Sequence, residues 1–401
     1  MAKKRPKTRL PNPISYFFAA GLARLAAPLA GVRWDTRAIR ALKPPYLFVC
    51  NHTSFLDFIA VAGGMFPRRI SFVVAAYFYK SRWVSALLNH FGCIPKLQFQ
   101  ADVASIRAMR EAIQQGGIVG IFPGGQVTAQ GTEGYVSPSI ARLAQFLRVP
   151  VVLGHMEGAY MKAPKWGRLR LGPARFTATL LLTAEQVRES SREQIWAALR
   201  QGLAYNDPRW AQETGARYRR PGLCRGLEEV LYRCPRCGAS FCMEARGRLL
   251  GCRACGFQAR MRPDGALEWP GGCLRIDQWY DLQLQDLLVA ARQPDFCLEA
   301  PAVLRRDEGD GKGLTRLGEG TITLTREALI YQGTEYGRPQ RISFDMNLVE
   351  TVSCSVKHRH FEVPGGGRFH SFGPPLPGQA VQWAAAVDAL RLIREEIQHS
   401  N

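Results

Sequence analysis

At 401 residues, with 46% hydrophobic and 21% charged residues, the chain has material for two or three domains, each with its own core. Its formal net charge of +20 is not spread along the chain: residues 1–220 hold 31 Lys+Arg against 11 Asp+Glu, and residues 221–401 hold 22 of each. A basic surface confined to the first half calls for a polyanionic partner, either anionic lipid headgroups or nucleic acid. Four of the 11 cysteines fall in C-x2-C pairs, which favours metal binding in a reducing compartment over a disulfide framework.

Residues 1–12 carry Lys3, Lys4, Arg5, Lys7 and Arg9 with no apolar cluster, and read as a disordered basic arm. An apolar stretch follows over residues 14–32, with Phe18, Leu22, Leu25 and Leu29 at helical spacing. Arg24 and Pro28 interrupt it, so the pattern fits an interfacial helix with basic anchors better than a spanning one. An ordinary core helix and a cleaved leader remain as alternatives, the leader disfavoured by Arg24 and by the cysteine pairs.

The apolar run at residues 46–50 predicts a buried strand that opens into Asn51-His52-Thr53-Ser54-Phe55-Leu56-Asp57. On one regular helix, His52 and Asp57 would point about 140° apart. They can meet only if His52 lies in a loop and Asp57 in the next helix. Ser54 is placed to be the N-cap, with Asp57 three residues on at capping-box spacing. The pair then reads either as a general base with its orienter or as a loop histidine beside a capping carboxylate. Downstream, strand-like runs at 70–75, 118–122 and 149–153 alternate with helical patterns at 58–65, 83–90, 104–115 and 139–147. That alternation predicts an α/β domain with a mainly parallel sheet, in which ligands gather at the C-terminal ends of strands. His52 and the Pro123-Gly124-Gly125 turn both fall at such ends.

Four ordered segments carry a family resemblance: Asn51-His52-x4-Asp57, Gly92-x-Ile94-Pro95-Lys96, Ile121-Phe122-Pro123-Gly124-Gly125 and Val149-Pro150-Val151-Val152. They resemble, in order and interval, the blocks of the glycerolipid acyltransferases typified by 1-acyl-glycerol-3-phosphate acyltransferases, over roughly residues 40–215. The resemblance implies transfer of a fatty acyl group from acyl-CoA or an acyl carrier protein to a lipid hydroxyl. His52 would serve as general base and Asp57 as its orienter, with Asn51, Ser54, Lys96, Phe122, Pro123, Gly124 and Gly125 lining the substrate site. The third block departs from the family's Phe-Pro-Glu-Gly-Thr-Arg, because Gly124 replaces the glutamate and Val127 the arginine. Lys96 stands where the second block usually has arginine, and keeps charge without the bidentate fork. The acceptor's phosphate is therefore open, as is an inactive, adaptor-like role.

Residues 217–222 are basic and punctuated by proline, a linker pattern. Beyond them Cys234, Cys237, Cys252 and Cys255 form C-x2-C-x14-C-x2-C, each knuckle followed by glycine. This resembles a zinc ribbon with short strands at 240–243 and 248–251 and a closed, structural Zn site. Cys242 and Cys273 fall outside the spacing and read as core residues. Residues 279–292 predict an amphipathic helix. Short alternating segments at 302–305, 320–325, 328–331, 341–344, 349–356, 360–363 and 368–371, then a helix over 379–397, resemble a pleckstrin-homology (PH) or GRAM-like domain. Lys357, His358, Arg359 and His360 form either an anion site or a solvated hairpin.

The expected architecture is thus a basic arm and interfacial helix (1–35), an acyltransferase-like α/β domain with a mixed sheet flanked by helices (36–216), a zinc ribbon (223–268), a linking helix (269–300) and a PH-like β-barrel with a C-terminal helix (301–401). Expected partners are an anionic membrane surface at its cytoplasmic face, held peripherally or monotopically, a lipid acceptor and an acyl carrier protein. Nucleic acid is disfavoured because no exposed aromatic platform for single strands is apparent.

Overall fold

The structure is a computed structural model describing residues 8–97, 102–307, 313–357, 359–365 and 368–400, with backbone only at 399 and 400. Lys3, Lys4, Arg5 and Lys7 of the basic arm, and His358, lie outside the described residues. The chain divides into two compact units, one of Met1–Ala163 with Arg170–Trp210, the other of Pro164–Leu169 with Ala211–Asn401.

The first unit is built on a seven-stranded sheet ordered β1-β7-β6-β2-β5-β3-β4. Its strands are β1 (Val32–Asp35), β2 (Tyr46–Cys50), β3 (Ile70–Ala75), β4 (Ile94–Lys96), β5 (Ile118–Ile121), β6 (Val151–Glu157) and β7 (Ala174–Leu182). The pairs β2–β6, β2–β5, β3–β5 and β3–β4 are parallel, while β7 runs against β6 and carries β1 parallel to itself. β1 uses residues 32–35, expected to belong to the arm and interfacial helix. Val32 and Trp34 register with Ala174 and Phe176, so this stretch is part of the sheet.

The sheet is buried on both faces, which is why β2 is an unbroken apolar run. Tyr46, Phe48 and Cys50 enter one core with Ala60, Val61, Met65 and Phe176, while Leu47 and Val49 enter the other with Met109, Ile113, Ile140, Ile195 and Leu199. The first core lies under α1 (Pro13–Leu29) and α2 (Asp57–Met65). The second lies under α4 (Val103–Gln114), α5 (Ser139–Leu147) and α8 (Arg192–Leu203). The remaining helices are α3 (Arg82–His90), α6 (Ala159–Lys162), α7 (Ala184–Glu189) and α9 (Asp207–Glu213).

α1 starts where Asn12 Oδ1 accepts the N–H groups of Ile14 and Ser15 and Pro13 takes the first turn. Tyr16, Ala20 and Ala27 face the domain, while Ile14, Phe18, Leu22, Leu25 and Leu29, the last 91% exposed, form an outward apolar stripe. Arg24 is not a free anchor: its guanidinium donates to Gly63 O and lies over Trp34. No described helix is long and apolar enough to cross a membrane.

The second unit opens with an antiparallel meander ordered β12-β11-β10-β9-β8, made of β8 (Met243–Arg246), β9 (Leu249–Cys252), β10 (Gln258–Met261), β11 (Leu267–Trp269) and β12 (Gly272–Leu274). The meander runs on to Leu274, past the expected boundary at 268, because β11 and β12 form a hairpin through Trp269 and Gly272. The expected linker at 217–222 is packed: Tyr218 is buried and its N–H donates to Pro263 O. α10 (Ile276–Ala291) precedes a second antiparallel sheet of β13 (Leu298–Asp307), β14 (Leu314–Leu324), β15 (Ala328–Glu335), β16 (Arg338–Asp345), β17 (Ser353–Ser355), β18 (His360–Gly365) and β19 (Arg368–Gly373), then α11 (Gln379–Ser400). The strand order is β16-β15-β14-β13-β19-β18-β17. The sheet curls enough for Phe344 of β16 to meet His370 and Phe372 of β19, and Trp383 of α11 stacks on Phe361. Among the described residues no pairing joins the edge strands β16 and β17. Arg359 is not available as an anion ligand, since its guanidinium pairs with Glu229 at 2.6 and 2.7 Å. Cys273, expected in the core, is exposed on β12.

Candidate active site and cysteine cluster

The loop after β2 gathers around one buried carboxylate. Asp57 is the first residue of α2, and Oδ2 accepts from Thr53 N at 2.6 Å, Ser54 N at 2.9 Å and His52 Nδ1 at 3.0 Å. Thr53 Oγ1 adds a bond to Oδ1 at 3.3 Å. Asp57 is fully buried while the His52 side chain stays 20% exposed. Half of the expected capping box is present, since Asp57 Oδ2 accepts Ser54 N three residues before it. Ser54 does not cap α2; its Oγ accepts Leu56 N, and Asp57 folds back onto the loop's own amides. A carboxylate so held fixes the proton on Nδ1, which leaves Nε2 as the basic nitrogen; Nε2 has no partner among the described residues. Phe122, at the end of β5, stacks under the imidazole with centroids 4.6 Å apart, and Phe72 extends the stack.

Asn51, expected to touch substrate, has a different task. Its Nδ2 donates to Met156 O at 2.8 Å and its Oδ1 accepts Met156 N at 2.7 Å, which uses both arms of the amide on β6. Ser54 and Asp57 line a cavity of about 180 Å³ with Leu56, Ile59, Met156 and the α1 alanines Ala23, Ala26 and Ala27. Apart from Ser54, Asp57 and Lys162, whose ammonium donates to Gly172 O, its walls are apolar and mostly small, as a straight alkyl chain requires.

At the end of β5, Gly125 N donates to Phe122 O in a tight turn, and Gly125 has φ +66°, where a side chain is disfavoured. Gly124 is different. A Cβ there would meet nothing nearer than the Gln126 and Tyr135 carbonyls at 3.9 Å, so the backbone tolerates a side chain at this position. Val127 is buried and presents no polar group. Lys96 ends β4 at the same edge of the sheet as the ends of β2 and β5, and burial pulls its ammonium below its ordinary value while Asp102 opposes the shift.

Three residues outside the motifs tie the site together. Tyr205 OH donates to His52 O at 3.3 Å and lies 3.2 Å from Thr128 Oγ1, linking the histidine loop to the loop after β5. Burial holds its phenol well above its usual range, so it stays a donor. Tyr160 OH donates to Ala129 O on the same loop. Asp207 accepts Tyr160 N at 2.7 Å through Oδ2, whereas buried Oδ1 has no partner among the described residues. These tyrosines sit in no motif, and the only signal near them is Asn206-Asp207-Pro208, a helix-start pattern.

Burial pushes Asp207 up to about 8, although the Gly158 and Tyr160 amides resist. Its folded value lies above the unfolded one, so the folded form keeps a proton that the unfolded chain releases, and stability falls as pH rises from about 4 toward 8. Asp207→Asn removes that dependence. Its melting temperature relative to the parent is expected to be higher at pH 9 than at pH 5, by thermal denaturation across that range.

In the second unit Cys234, Cys237, Cys252 and Cys255 converge with all four Sγ atoms within 4.8 Å of one another. Cys234–Cys255 and Cys237–Cys252 are 3.7 and 3.8 Å apart. Tetrahedral Zn–S bonds of about 2.3 Å require S···S edges of about 3.8 Å, so the cluster fits a zinc ion. The two knuckles repeat one backbone design: Gly238 N donates to Cys234 O and Gly256 N to Cys252 O, both at 3.0 Å, with both glycines at positive φ. A backbone amide donated by Ala239 lowers the Cys237 thiol to about 7, while burial raises that of Cys234.

With this geometry in hand, the comparisons with known proteins bear on the first unit. Residues 32–153, from β1 into β6, match the family model described as acyltransferase. The 1-acyl-sn-glycerol-3-phosphate acyltransferase of Bacillus subtilis (strain 168) is 23% identical over 144 residues, 36% of this chain and 71% of that protein. The crystal structure of the 1-acyl-sn-glycerophosphate (LPA) acyltransferase PlsC from Thermotoga maritima aligns with 18% identity and a TM-score of 0.39, covering 52% of this chain and 81% of that one, a likeness too distant to carry weight. The family match lies wholly within the first unit. It spans His52, Asp57, Lys96 and the Phe122–Gly125 turn and stops short of Tyr160, Tyr205 and Asp207.

Proposed function

We propose that the protein is a membrane-associated O-acyltransferase that moves a fatty acyl group from acyl-CoA or an acyl carrier protein to a hydroxyl of a lysophospholipid or related lipid. The observation that carries this reading is the His52 Nδ1 to Asp57 Oδ2 contact at 3.0 Å, with the carboxylate fully buried and Nε2 left to act. In this reading Nε2 takes the acceptor's hydroxyl proton as its oxygen attacks the thioester carbonyl, and the thiol leaves with that proton returned from the imidazolium. Asp57 keeps the tautomer and steadies the imidazolium. The cavity beside Asp57 would take the acyl chain, and Lys96 with the Gly124–Gly125 turn would face the acceptor's headgroup. The outward apolar stripe of α1 supports attachment to a membrane interface, and the excess of Lys and Arg in residues 1–220 favours an anionic leaflet, which this reading places at the cytoplasmic face. The four cysteines would hold a structural zinc ion that pins the meander, and the strand order and capping helix of the second sheet support a PH-like role.

Gly124 and Val127 favour a second reading, a non-catalytic adaptor on an acyltransferase scaffold. Acyl-transfer assays of the full chain decide between them, with acyl-CoA and acyl carrier protein donors offered against lysophospholipid, glycerol phosphate and non-phosphorylated acceptors. Transfer to at least one acceptor is expected, and silence across all pairs sinks the enzyme reading. In the same assay Gly124→Glu should shift the acceptor preference away from phosphorylated substrates and toward acceptors with a further free hydroxyl by roughly tenfold, because a carboxylate accepts a charge-assisted hydrogen bond from a hydroxyl and repels a phosphate.

A further inference from the structure

The segment following β3 does what a core segment does not. Residues Ala76–Lys80 form a 3-10 turn and α3 follows, and neither contains a single buried residue. Trp83 is 87% exposed, and Leu87, Tyr77 and Phe78 are about half exposed. A nine-residue helix with this much apolar surface in water gains nothing from folding there unless that surface is covered. The flanking charges are of one sign: Lys80 ends the turn and Arg82 begins α3, Lys80 sits over the Tyr77 ring, and residues 70–101 contain no carboxylate. Trp and Tyr beside Lys and Arg is the composition that settles at the boundary between headgroups and acyl chains.

α3 is also fastened to α1. Ser15 Oγ and His90 Nε2 are 2.7 Å apart, Asn12 N donates to His90 O, and Tyr16 meets Phe91 edge to face. The exposed faces of α1 and α3 are thus carried on elements joined at His90. Phe55 and Phe58, exposed at the start of α2, lie on the catalytic loop and its helix.

We propose that the 3-10 turn and α3 form a second membrane-insertion element, seated in the headgroup region of an anionic leaflet alongside α1. The proposal rests on the membrane-associated reading above and names the surface by which the site reaches its lipid. With two elements and Phe55 at the bilayer, a lipid acceptor approaches His52 laterally without leaving the leaflet.

The test is sedimentation of the full chain with phosphatidylcholine vesicles, with and without phosphatidylglycerol. The double variant Trp83→Asp, Leu87→Asp is expected to bind the anionic vesicles at least roughly tenfold more weakly than the parent at unchanged melting temperature. Transfer to vesicle-embedded acceptor should fall with it, while transfer to a soluble short-chain acceptor holds. As a second measure, bromine-labelled lipid should quench part of the parent's tryptophan emission, and Trp83→Phe should lose that part. Unchanged binding by the double variant, with binding lost in Phe18→Asp, Leu22→Asp, overturns the proposal. So does unchanged vesicle binding with a raised KM for acyl carrier protein, which would make the surface a protein-docking one. Sedimentation needs no turnover, so the insertion question is decided even where acyl transfer fails.

Discussion

Replacing His52 with alanine is expected to lower acyl transfer by roughly a thousandfold, the span that general-base catalysis supplies, while leaving the melting temperature within a few degrees of the parent. The imidazole is partly exposed and makes one side-chain hydrogen bond, to Asp57, so its loss opens little core. Asp57→Asn separates orientation from basicity. The amide cannot accept the Thr53, Ser54 and His52 protons as the carboxylate does and cannot steady an imidazolium, so its loss of rate should approach that of His52→Ala. Steady-state kinetics with circular dichroism checks both, and an alanine variant with parental turnover would remove His52 from the mechanism.

The second large effect lies at the cysteines. Structural zinc supplies about 10–16 kcal/mol of folding free energy in small metal-stabilised domains, comparable to the whole stability of a typical domain. The meander has strands of only three or four residues and a modest core around Leu250, Ala259, Met261 and Leu267. Chelation of the metal, or Cys252→Ser, is therefore expected to release the 234–274 region to proteolysis, with zinc content falling from one ion per chain. Protection unchanged by a strong chelator, or protein purified under reducing conditions without metal, would rule out the structural role.

Much of the first unit was legible because its signals are local. β2 and β5 are continuous apolar runs that only a sheet covered on both faces explains, and both expected loops sit at their ends. What escaped was direction and distance. Ser54 and Asp57 satisfy the spacing of a capping box and Asp57 does reach back to Ser54 N, but spacing does not reveal that the Ser54 hydroxyl turns to Leu56 N or that Thr53 N and His52 Nδ1 also converge on Asp57. Asn51 reads as polar and near the base, hence as a substrate ligand, because nothing local reveals Met156 on the neighbouring strand. Tyr205 reaches His52 across 153 residues, beyond any periodicity. In the second unit the strands at 258–261 and 267–274 are too short and too rich in charge or glycine to stand out, and Arg359 looked like a ligand only because Glu229 lies 130 residues away.

The Asn51 side chain has one more consequence. By offering Met156 both a donor and an acceptor, it imitates a backbone peptide group and continues the β2–β6 ladder one step after the main chain has begun to turn away. The histidine that follows is thereby anchored to the sheet's lattice. Its position inherits the stiffness of a strand, and the Met156 amide hydrogen, shielded only while that mimic is seated, becomes an intrinsic gauge of how often the histidine loop lets go.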